Sequence, residues 1–549
     1  MAPVTRQVGR GVDGSLIEAS TAGGGWTVRS SRPPWQAGIG RFAHRGLQVS
    51  RVRAGRLDDL PRTRPHQWFG AGPCRGSVRT RTPGRPIRSP PGPESRVAAA
   101  RHPTEQTGNP MTIPGTVDTA PAHRGRAGRV AVVGAGVAGL TAAWTLRRAG
   151  ADVVLFEAEG RLGGHAHTQP TAGRDGRLLP LDTGFLVHNE RTYPQLVRLF
   201  RELGVPTRAS EMSMSVRCDG CGLQYAGAKG PAGLLAQGAA LRNGRYLRLL
   251  AEVPRFHRRA RALLADPAAG DPSLRRFLAD GGFSRYFVGH FMTPVVSAVW
   301  SCAPDLAGDY PARYLFAFLR NHGMLGVTGS PAWRTVVGGS RVYVERIAAA
   351  LPDVRVGAPV RAVRRHPDGV AITTADGARA EADAVVIATH ADQALRLLAD
   401  PTPAERAVLG AFDYSRNPTV LHRDASELPT APRARACWNY RMTDCQERAD
   451  RVRVSYHLNR LLGLDCDEEY LVTLNEDRQD PVPEELVVSR TVYEHPVYTA
   501  RSVAAQRRLP ELTGGRTAYA GAYHGWGFHE DGCRSGLAAA RALLPVGAP

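Results

Sequence analysis

The sequence predicts an α/β protein whose core is a parallel sheet covered by helices. The apolar run 129–133 is typical of a buried strand, the glycine-rich turn 134–139 follows it, and residues 140–149 have helical spacing. Gly150 ends that helix, and residues 152–157 form a second apolar run. A strand, a helix and a strand in this order require parallel strands joined by a right-handed crossover. We therefore expect a Rossmann-like domain.

The region before residue 125 has a different composition and is expected to lie outside this fold. It is rich in arginine, proline and glycine and has no sustained apolar period, which is typical of a disordered tail. Two interpretations stay open: a functional basic arm, or a start of translation at Met111 that leaves the upstream residues untranslated. Residues 1–124 are therefore assigned to a tail.

The chain has a formal net charge of +21, and its first 110 residues contain 18 arginines and 6 acidic residues. Such a charge can indicate binding to nucleic acid or to an anionic membrane. Lys229 is the only lysine, however, so we attribute the arginine excess to GC-rich codons and expect no nucleic-acid partner.

No apolar run reaches the roughly 18 residues of a membrane span, and the first residues lack a signal peptide. The expected location is the cytoplasm, or the inner face of the membrane as a peripheral protein.

The rest of the chain alternates between two regions. Residues 354–363 and 370–374 alternate like hairpin strands, and residues 384–389 form an apolar strand of the buried parallel type. The chain therefore returns to the first domain after a mostly helical insert, and again after a mixed one. We assign the dinucleotide-binding domain to residues 125–197, 335–400 and 501–549, and an interleaved α+β substrate domain to residues 198–334 and 401–500.

The strongest motif is the turn GAGVAG at residues 134–139, between a strand and a helix. Its first glycine allows the tight turn, the second lets the backbone approach a pyrophosphate, and the third allows close packing of helix and strand. The helix start supplies free N–H groups to the anion, and the acid that ends the next strand binds ribose hydroxyls. Alone, the motif does not distinguish NAD from FAD. The residues of this set are Gly134, Ala135, Gly136, Val137, Ala138, Gly139, Glu157 and Ala158.

A second glycine pair follows closely. The sequence Arg161-Leu-Gly-Gly164 begins four residues after Glu157, and LDTG spans residues 181–184. A strand-ending acid followed by R-x-G-G resembles the flavin-containing amine oxidase superfamily, which also holds protoporphyrinogen oxidases and phytoene desaturases. The resemblance implies a fold of the glutathione-reductase/amine-oxidase type and FAD as the cofactor. The further cofactor positions that it implies are Arg161, Gly163, Gly164, His165, Thr183, Gly184, Val360, Ala388 and Thr389.

Two pairs of residues, one of histidines and one of cysteines, are candidate metal ligands. His165 stands where the superfamily usually has an arginine, which leaves Arg161 as the expected charge partner of the pyrophosphate. His165 and His167 lack carboxylate or cysteine companions. Cys218 and Cys221 could be half a zinc site or a redox dithiol, but Asp-Gly between two strand-like runs favours a hairpin turn. We expect no metal site.

The segment 519–537 ends an apolar strand and opens a last helix, whose start faces the flavin in the superfamily. Gly521 belongs to the expected cofactor set, but the acid that usually follows it is absent. Glu530 or Asp531 would compensate, or would only cap the helix. We expect catalytic side chains near the flavin, with packing as the alternative role, at His524, Trp526 and His529.

The span from about residue 129 to residue 544 also resembles a bacterial subfamily of predicted NAD/FAD-binding proteins. The resembling stretches include LDTGFLVHNERTYPQLVRLFRELGV at 181–205 and YHGWGFHEDG at 523–532. Members are commonly encoded beside cyclopropane fatty acid synthases and enzymes that methylate unsaturated fatty acyl chains. The resemblance therefore implies a small-molecule or lipid substrate and a lipid methyltransferase as a partner.

The position of the single lysine helps to distinguish amine oxidation from dehydrogenation. Many superfamily members place a lysine near flavin N5, through a water, for amine oxidation. Lys229 lies in the turn-rich stretch 225–233, away from the region where that lysine is expected, so dehydrogenation of an apolar lipid is favoured over amine oxidation. Residues 283–300 are nearly free of charge and would form either an apolar cavity wall or the core of a helical insert. A non-catalytic flavoprotein partner of a lipid-modifying enzyme is a third hypothesis.

Overall fold

The computed structural model describes residues 128–326, 328–445, 451–477 and 479–544, together with the backbone of three short strands nearer the start of the chain. The chain divides into two compact units, Met1–Thr112 and Ile113–Pro549. The second unit contains every motif considered above.

The first unit contains a three-stranded antiparallel sheet whose strands pair in chain order. The assignment of residues 1–124 to a disordered tail stays a prediction, and apart from these strands the tail lies outside the described residues. The strands are Arg6–Arg10, Leu16–Ala22 and Gly25–Ser31.

Five parallel strands form a sheet in the second unit, which we call the central sheet. They come from three separate stretches of the chain, and every neighbouring pair is parallel. The predicted α/β class is confirmed. In sheet order the strands are Asp353–Arg355, Asp152–Phe156, Arg129–Val133, Ala384–Ile387 and Thr517–Tyr519.

Successive residues of the central strands alternate between two cores. Val130 and Val132 contribute to the core on one face of the sheet, and Ala131 and Val133 contribute to the core on the other. Because both faces are covered, the run 129–133 is apolar throughout. The first face carries the helices Val137–Arg148, Arg341–Ala350 and His529–Leu543. The second carries the strands Val360–His366, Gly369–Thr374 and Arg379–Ala382 and the helices Ala391–Leu397 and Pro403–Leu409.

The two inserts build a second layer of structure around a mixed seven-stranded sheet. One pair of its neighbouring strands is parallel and the other pairs are antiparallel. In sheet order the strands are Gln224–Gly227, Met214–Cys218, Trp438–Met442, Val454–His457, Leu471–Leu474, Asp413–His422 and Val487–Val497.

A helical insert packs on this sheet around a core that includes Phe256, Phe287 and Phe316. Its helix Gly244–Ala265 contains Pro254. A π-helical segment lies directly before the helix Thr293–Trp300. The helices are Gly244–Ala265, Leu274–Asp280, Arg285–Phe287, Thr293–Trp300, Pro304–Ala307 and Ala312–Asn321, and the π-helical segment is Val288–Met292.

Smaller elements connect these layers. Among the described residues, no helix is both long and apolar enough to cross a bilayer. The strands are Thr168–Ala172 paired with Leu178–Asp182, and Trp333–Val336 between His188–Asn189 and Thr207–Ala209. The helices are Pro194–Leu203, Gly230–Leu234, Leu458–Leu462 and Ala500–Gln506, with 3₁₀ turns at Gly238–Arg242, Ala425–Glu427, Pro432–Ala434, Glu484–Leu486, Leu509–Leu512 and Ala522–His524.

Candidate active site

The glycine-rich turn 134–139 has the backbone geometry that an anion site needs. Gly134 has φ +97°, and its N–H donates to the Phe156 carbonyl at 2.8 Å. A Cβ at Gly139 would overlap the Gly134 carbonyl oxygen, whereas a Cβ at Gly136 would meet no atom within 4 Å. The helix Val137–Arg148 begins without a side-chain cap. The open space at Gly136 therefore lies beside N–H groups that need an acceptor.

Glu157 and the second glycine pair close around this turn. The Glu157 carboxylate accepts the N–H of Ala135 at 2.7 Å, and Gly163 donates its N–H to the Ala135 carbonyl at 2.9 Å. Gly164 has φ +56°, and a Cβ there would lie 3.3 Å from the Gly136 Cα. Glycine is thus required where the two turns meet.

A cavity of about 1400 Å³ begins at these turns and extends into the helical insert. Most of the residues expected from the sequence line it. Those that do are Gly134, Ala135, Gly136, Val137, Ala138, Glu157, Ala158, Gly163, Gly164, His165, Thr183, Gly184, Val360, Ala388, Thr389, Gly521 and His529. Six expected residues are not part of the lining: Gly139, Arg161, Glu530, Asp531, His524 and Trp526.

Arg161 supports the second glycine turn instead of lining the cavity. Its guanidinium donates to the Gly164 carbonyl at 2.8 Å and pairs with Glu159 at 3.0 Å. Both contacts are local, because the side chain lies across the turn that follows Glu157. The charge expected to meet a pyrophosphate is therefore engaged by the protein itself.

Glu530 and Asp531 cap helices. The Glu530 carboxylate accepts the N–H groups of Gln195 and Leu196, at 3.1 and 3.0 Å, in the first turn of Pro194–Leu203. Asp531 accepts the N–H of Phe528 at 3.2 Å and lies in the first turn of its own helix. Of the two roles considered for these acids, the capping role is the one that their contacts fit.

His524 and Trp526 lie beside the cavity wall, in the packing role considered for them. His524 is within the 3₁₀ turn Ala522–His524, and its ring lies 4.7 Å from that of Tyr523. The Trp526 carbonyl accepts the indole N–H of Trp300 at 2.9 Å. Of the three expected catalytic residues, His529 alone lines the cavity.

His529 stacks on Phe185, with ring centroids 3.8 Å apart. Its Nε2 is buried without a hydrogen-bond partner. Burial lowers the pKa of His529 to about 3, so the imidazole is neutral near pH 7.

The strand Val487–Val497 brings polar side chains to the cavity that the sequence did not indicate. The ring of His495 lies 5.2 Å from that of His165, and Glu494 pairs with His390 at 3.4 Å. All four residues line the cavity. Burial lowers the pKa of His495 to about 4 and that of His165 well below its usual value. The only sequence signal was the polar Glu-His pair at the end of an otherwise strand-like run.

The far part of the cavity is apolar. Its wall comes from the helix Gly244–Ala265, from the π-helical segment with the helix Thr293–Trp300 that follows it, and from the helix Ala312–Asn321. Residues 283–300 contribute both to the core and to the cavity wall, because Phe287 is buried in the core and other members of the stretch line the cavity. The apolar lining residues of the insert include Leu249, Leu250, Val253, Pro254, Phe256, Phe291, Met292, Val295, Ala298, Val299, Phe318 and Leu319.

A family model described as flavin containing amine oxidoreductase matches residues 137–422, more than half of the chain. The chain belongs to this family. A second model, described as the C-terminal domain of alanine dehydrogenase/PNT, matches residues 95–165 and so includes the turn 134–139.

Curated relatives match about half of this flavin amine oxidoreductase family member. A Mycobacterium tuberculosis protein, named among the flavin-containing monoamine oxidases, is 31% identical over 284 residues, which are 50% of this chain and 59% of that protein. The carotenoid phi-ring synthase of Streptomyces griseus is 29% identical over 308 residues, 51% of this chain and 56% of that protein. The chain therefore spans less than two thirds of the length of these relatives.

Solved structures share the fold over most of the chain. A putrescine oxidase variant gives a TM-score of 0.55 at 18% identity, covering 76% of this chain and 98% of that one. A fatty acid isomerase from P. acnes gives 0.51 at 18% identity, covering 75% and 97%. Identities this low show a common fold and no more.

Membership of the flavin amine oxidoreductase family implies FAD, and the residues present fit that cofactor. The space in front of Gly136, beside an uncapped helix start, suits a pyrophosphate. Glu157 lies at the end of the strand next to this turn, where a ribose binds in such folds. His165 lines the same cavity, and its buried Nε2 has no hydrogen-bond partner in the protein. A polar group of FAD would satisfy this nitrogen.

The lysine of this family member lies outside the cavity lining. Lys229 Nζ donates to the Arg435 carbonyl at 2.9 Å and lies 3.8 Å from the Glu211 carboxylate. Its neighbours Ala228 and Gly230 line the cavity, but Lys229 does not. The side chain is therefore held by Arg435 and Glu211.

Proposed function

We propose that this chain is an FAD-dependent dehydrogenase of an apolar lipid, with a fatty-acyl chain as the preferred substrate class. The observation that carries the proposal is the continuity of the cavity, which runs without a break from the dinucleotide turn to the apolar wall of the helical insert. A long hydrocarbon chain needs such a wall to bind, because its affinity comes from apolar area removed from water.

FAD, when bound, accepts the two electrons and one hydrogen that leave one substrate carbon as a hydride, while the neighbouring carbon loses a proton and a double bond forms. The protein's own part is to hold the chain, exclude water and accept that proton. The unpartnered Nε2 of His529 is the atom that we assign to the proton. Since burial keeps this imidazole neutral, one of its two ring nitrogens has a lone pair near pH 7, and the assignment requires the tautomer in which Nδ1 carries the hydrogen and Nε2 the lone pair.

The histidines of the cavity and the position of the lysine favour an uncharged substrate over an amine. Burial lowers the pKa of His165, His390 and His495, so these cavity side chains add no positive charge near pH 7. The only lysine of the chain donates to a backbone carbonyl outside the lining. The cavity lining therefore has no lysine ammonium group of the kind that many amine oxidases place near the flavin.

Amine oxidation is the second candidate, because a relative named among the monoamine oxidases is 31% identical over 284 residues. A catalytically silent flavoprotein that assists a fatty-acyl methyltransferase is the third. It rests on the subfamily resemblance, as does the methyltransferase partner itself.

A peripheral membrane contact completes the proposal. Leu241 and Leu247 are 58% and 41% exposed, and Arg242 and Arg245 lie between them. Leucines that insert among headgroups and arginines that bind anionic lipids are the features of an interfacial segment. Leu249, two residues beyond this segment, lines the cavity, so a lipid would have a short path inward.

The test is anaerobic bleaching of the bound flavin by three substrate classes: fatty-acyl lipids, carotenoid precursors and amines. We expect bleaching by fatty-acyl lipids and none by amines. The variant Val295→Trp, which fills the apolar part of the cavity, should slow lipid-dependent bleaching by about tenfold or more. The control variant Leu178→Trp, at a site 70% exposed and outside the cavity lining, should bleach at the wild-type rate.

Two results would overturn the proposal. Bleaching by amines alone would establish amine oxidation. Retention of FAD without bleaching by any of the three classes would favour the non-catalytic flavoprotein.

A further inference from the structure

Three cysteines and a histidine converge at the edge of the substrate domain. We call Cys218, Cys221, Cys445 and His290 the Cys₃His cluster. Their ligand atoms all lie within 4.8 Å of one another, and the three cysteines are free thiols. Cys218 and His290 are buried, Cys445 is half-buried and Cys221 is exposed.

The cluster joins three segments that are distant in sequence. Cys218 ends the strand Met214–Cys218, and Cys445 follows the parallel neighbouring strand Trp438–Met442. His290 comes from the π-helical segment of the insert. The hairpin expected at Cys218 and Cys221 is present, since the next strand pairs antiparallel. The sequence could not indicate the other two members because they lie far along the chain.

The spacing of the cluster matches a tetrahedral zinc ion. With zinc–sulfur bonds of about 2.3 Å and zinc–nitrogen bonds of about 2.05 Å, tetrahedral angles separate two sulfurs by about 3.8 Å and a sulfur from a nitrogen by about 3.6 Å. Cys218 Sγ and Cys445 Sγ are 3.8 Å apart, and Cys221 Sγ lies 3.6 Å from His290 Nε2. Two independent edges of the tetrahedron are therefore already in place.

Neighbouring groups hold the cluster in this arrangement. The Tyr225 hydroxyl donates to the His290 carbonyl at 2.7 Å, and the Tyr286 ring stacks on the imidazole at a centroid distance of 3.9 Å. The two cysteine-bearing loops are in direct contact, because a Cβ at Gly220 would lie 2.8 Å from the Cα of Asp444. Ligands that the surrounding structure positions before binding are typical of a built metal site.

We propose that the Cys₃His cluster binds one Zn²⁺ ion and that this ion is structural. Three thiolates and an imidazole are ligands that zinc prefers, and a set of four leaves no coordination position open for a substrate or water. This inference goes beyond the proposed function, and it does not depend on it.

The site has a mechanical role that follows from its place in the fold. His290 lies three residues before the helix Thr293–Trp300, whose Val295 and Val299 line the cavity. The cysteines belong to the strands and loops of the seven-stranded sheet. The ion therefore connects the apolar wall of the cavity to that sheet through His290, which lies in the π-helical segment.

The first experiment measures metal content in the full chain, purified with FAD under reducing conditions. We expect about one zinc per chain in the wild type. The variants Cys221→Ser and His290→Asn should lower the zinc content by about tenfold or more. The control Cys466→Ser, outside the cluster, should keep the wild-type zinc content. FAD absorbance in each variant reports that the chain has folded.

The second experiment replaces zinc with Co²⁺. Wild-type protein should show the intense visible bands of tetrahedral cobalt with thiolate charge transfer, and Cys221→Ser should lose part of the charge-transfer intensity. Removal of zinc by a chelator should lower the Tm of the wild type and leave that of Cys221→Ser unchanged.

The proposal fails if reduced wild-type protein carries no zinc, or if Cys221→Ser and His290→Asn retain it while folded. A Cys218–Cys445 disulfide found by peptide mapping in zinc-free protein would instead assign these thiols to redox chemistry. None of these readouts uses enzymatic activity, so they distinguish failure of the zinc site from failure of the proposed reaction.

Discussion

The Glu530 carboxylate accepts the backbone N–H of Leu196 at 3.0 Å and thereby joins two helices that are distant in the chain. Glu530 lies in the first turn of His529–Leu543, and Leu196 in the first turn of Pro194–Leu203. The first turn of a helix has N–H groups without intrahelical partners, and a carboxylate satisfies them. Glu530, in the first turn of the helix His529–Leu543, therefore stabilises the protein fold.

Replacement of Glu530 by alanine should lower the free energy of unfolding by about 1–2 kcal/mol, because two capping hydrogen bonds are lost. FAD content should stay at the wild-type level, since Glu530 is outside the cavity lining. Chemical denaturation and flavin absorbance measure the two quantities. Glu511→Ala, at an exposed ion pair with Arg508, serves as the control and should be nearly neutral. Loss of FAD at unchanged stability would show that Glu530 contacts the cofactor.

The same carboxyl should make stability depend on pH. Burial raises the pKa of Glu530 to about 7, above its usual value of 4.5. Between these values the folded state holds a proton that the unfolded state has lost, so this group lowers stability as the pH rises from about 4.5 to about 7. The variant Glu530→Gln removes the titration. The difference in unfolding free energy, variant minus wild type, should therefore increase across this window, and a flat difference would contradict the shifted pKa.

His524 should act in the opposite direction. Burial lowers its pKa from 6.5 to about 3, so between those values the unfolded state binds a proton that the folded state does not. Stability from this group is present above pH 6.5 and is lost as the pH falls toward 3. His524→Gln should reduce the loss of unfolding free energy between about pH 6.5 and pH 4. An unchanged acid limb of the stability profile would show that His524 titrates normally.

Much of the cofactor end of the cavity could be predicted from the sequence because its contacts are local. Gly134, Glu157 and Gly163 lie within 30 positions and meet through one strand-turn-helix unit. His495 joins them only because its strand pairs with Asp413–His422, and no local pattern encodes that pairing.

Two further differences have physical causes. The alternation over residues 354–363 suits a hairpin, yet Asp353–Arg355 adds a parallel strand to the central sheet, where Val354 pairs with Leu155. Short alternating runs look alike in both settings. His524 lies in a 3₁₀ turn that composition does not reveal, and Trp526, two residues further on, packs against Phe318.

The glycines of the first turn should separate folding from cofactor binding. Gly139→Ala places a Cβ against the Gly134 carbonyl and should cost about 1–3 kcal/mol of unfolding free energy. Gly136→Ala meets no protein atom, so the fold should persist while its methyl occupies the space of the pyrophosphate and FAD affinity falls. Thermal unfolding without FAD, and flavin titration, distinguish the two. Gly160→Ala, also in open space, is the control and should change neither.

The last strand, Thr517–Tyr519, and the helix His529–Leu543 complete the central sheet and its first face. Gly536 packs so closely on the helix Val137–Arg148 that a Cβ would overlap the Ala138 carbonyl. A nascent chain therefore leaves the ribosome with its flavin site unfinished until residues 517–543 emerge, some 380 positions after the first glycine turn. FAD can bind and stabilise the fold only after these residues have been synthesised. Truncated polypeptides that end before them should therefore lack flavin and be susceptible to proteolysis.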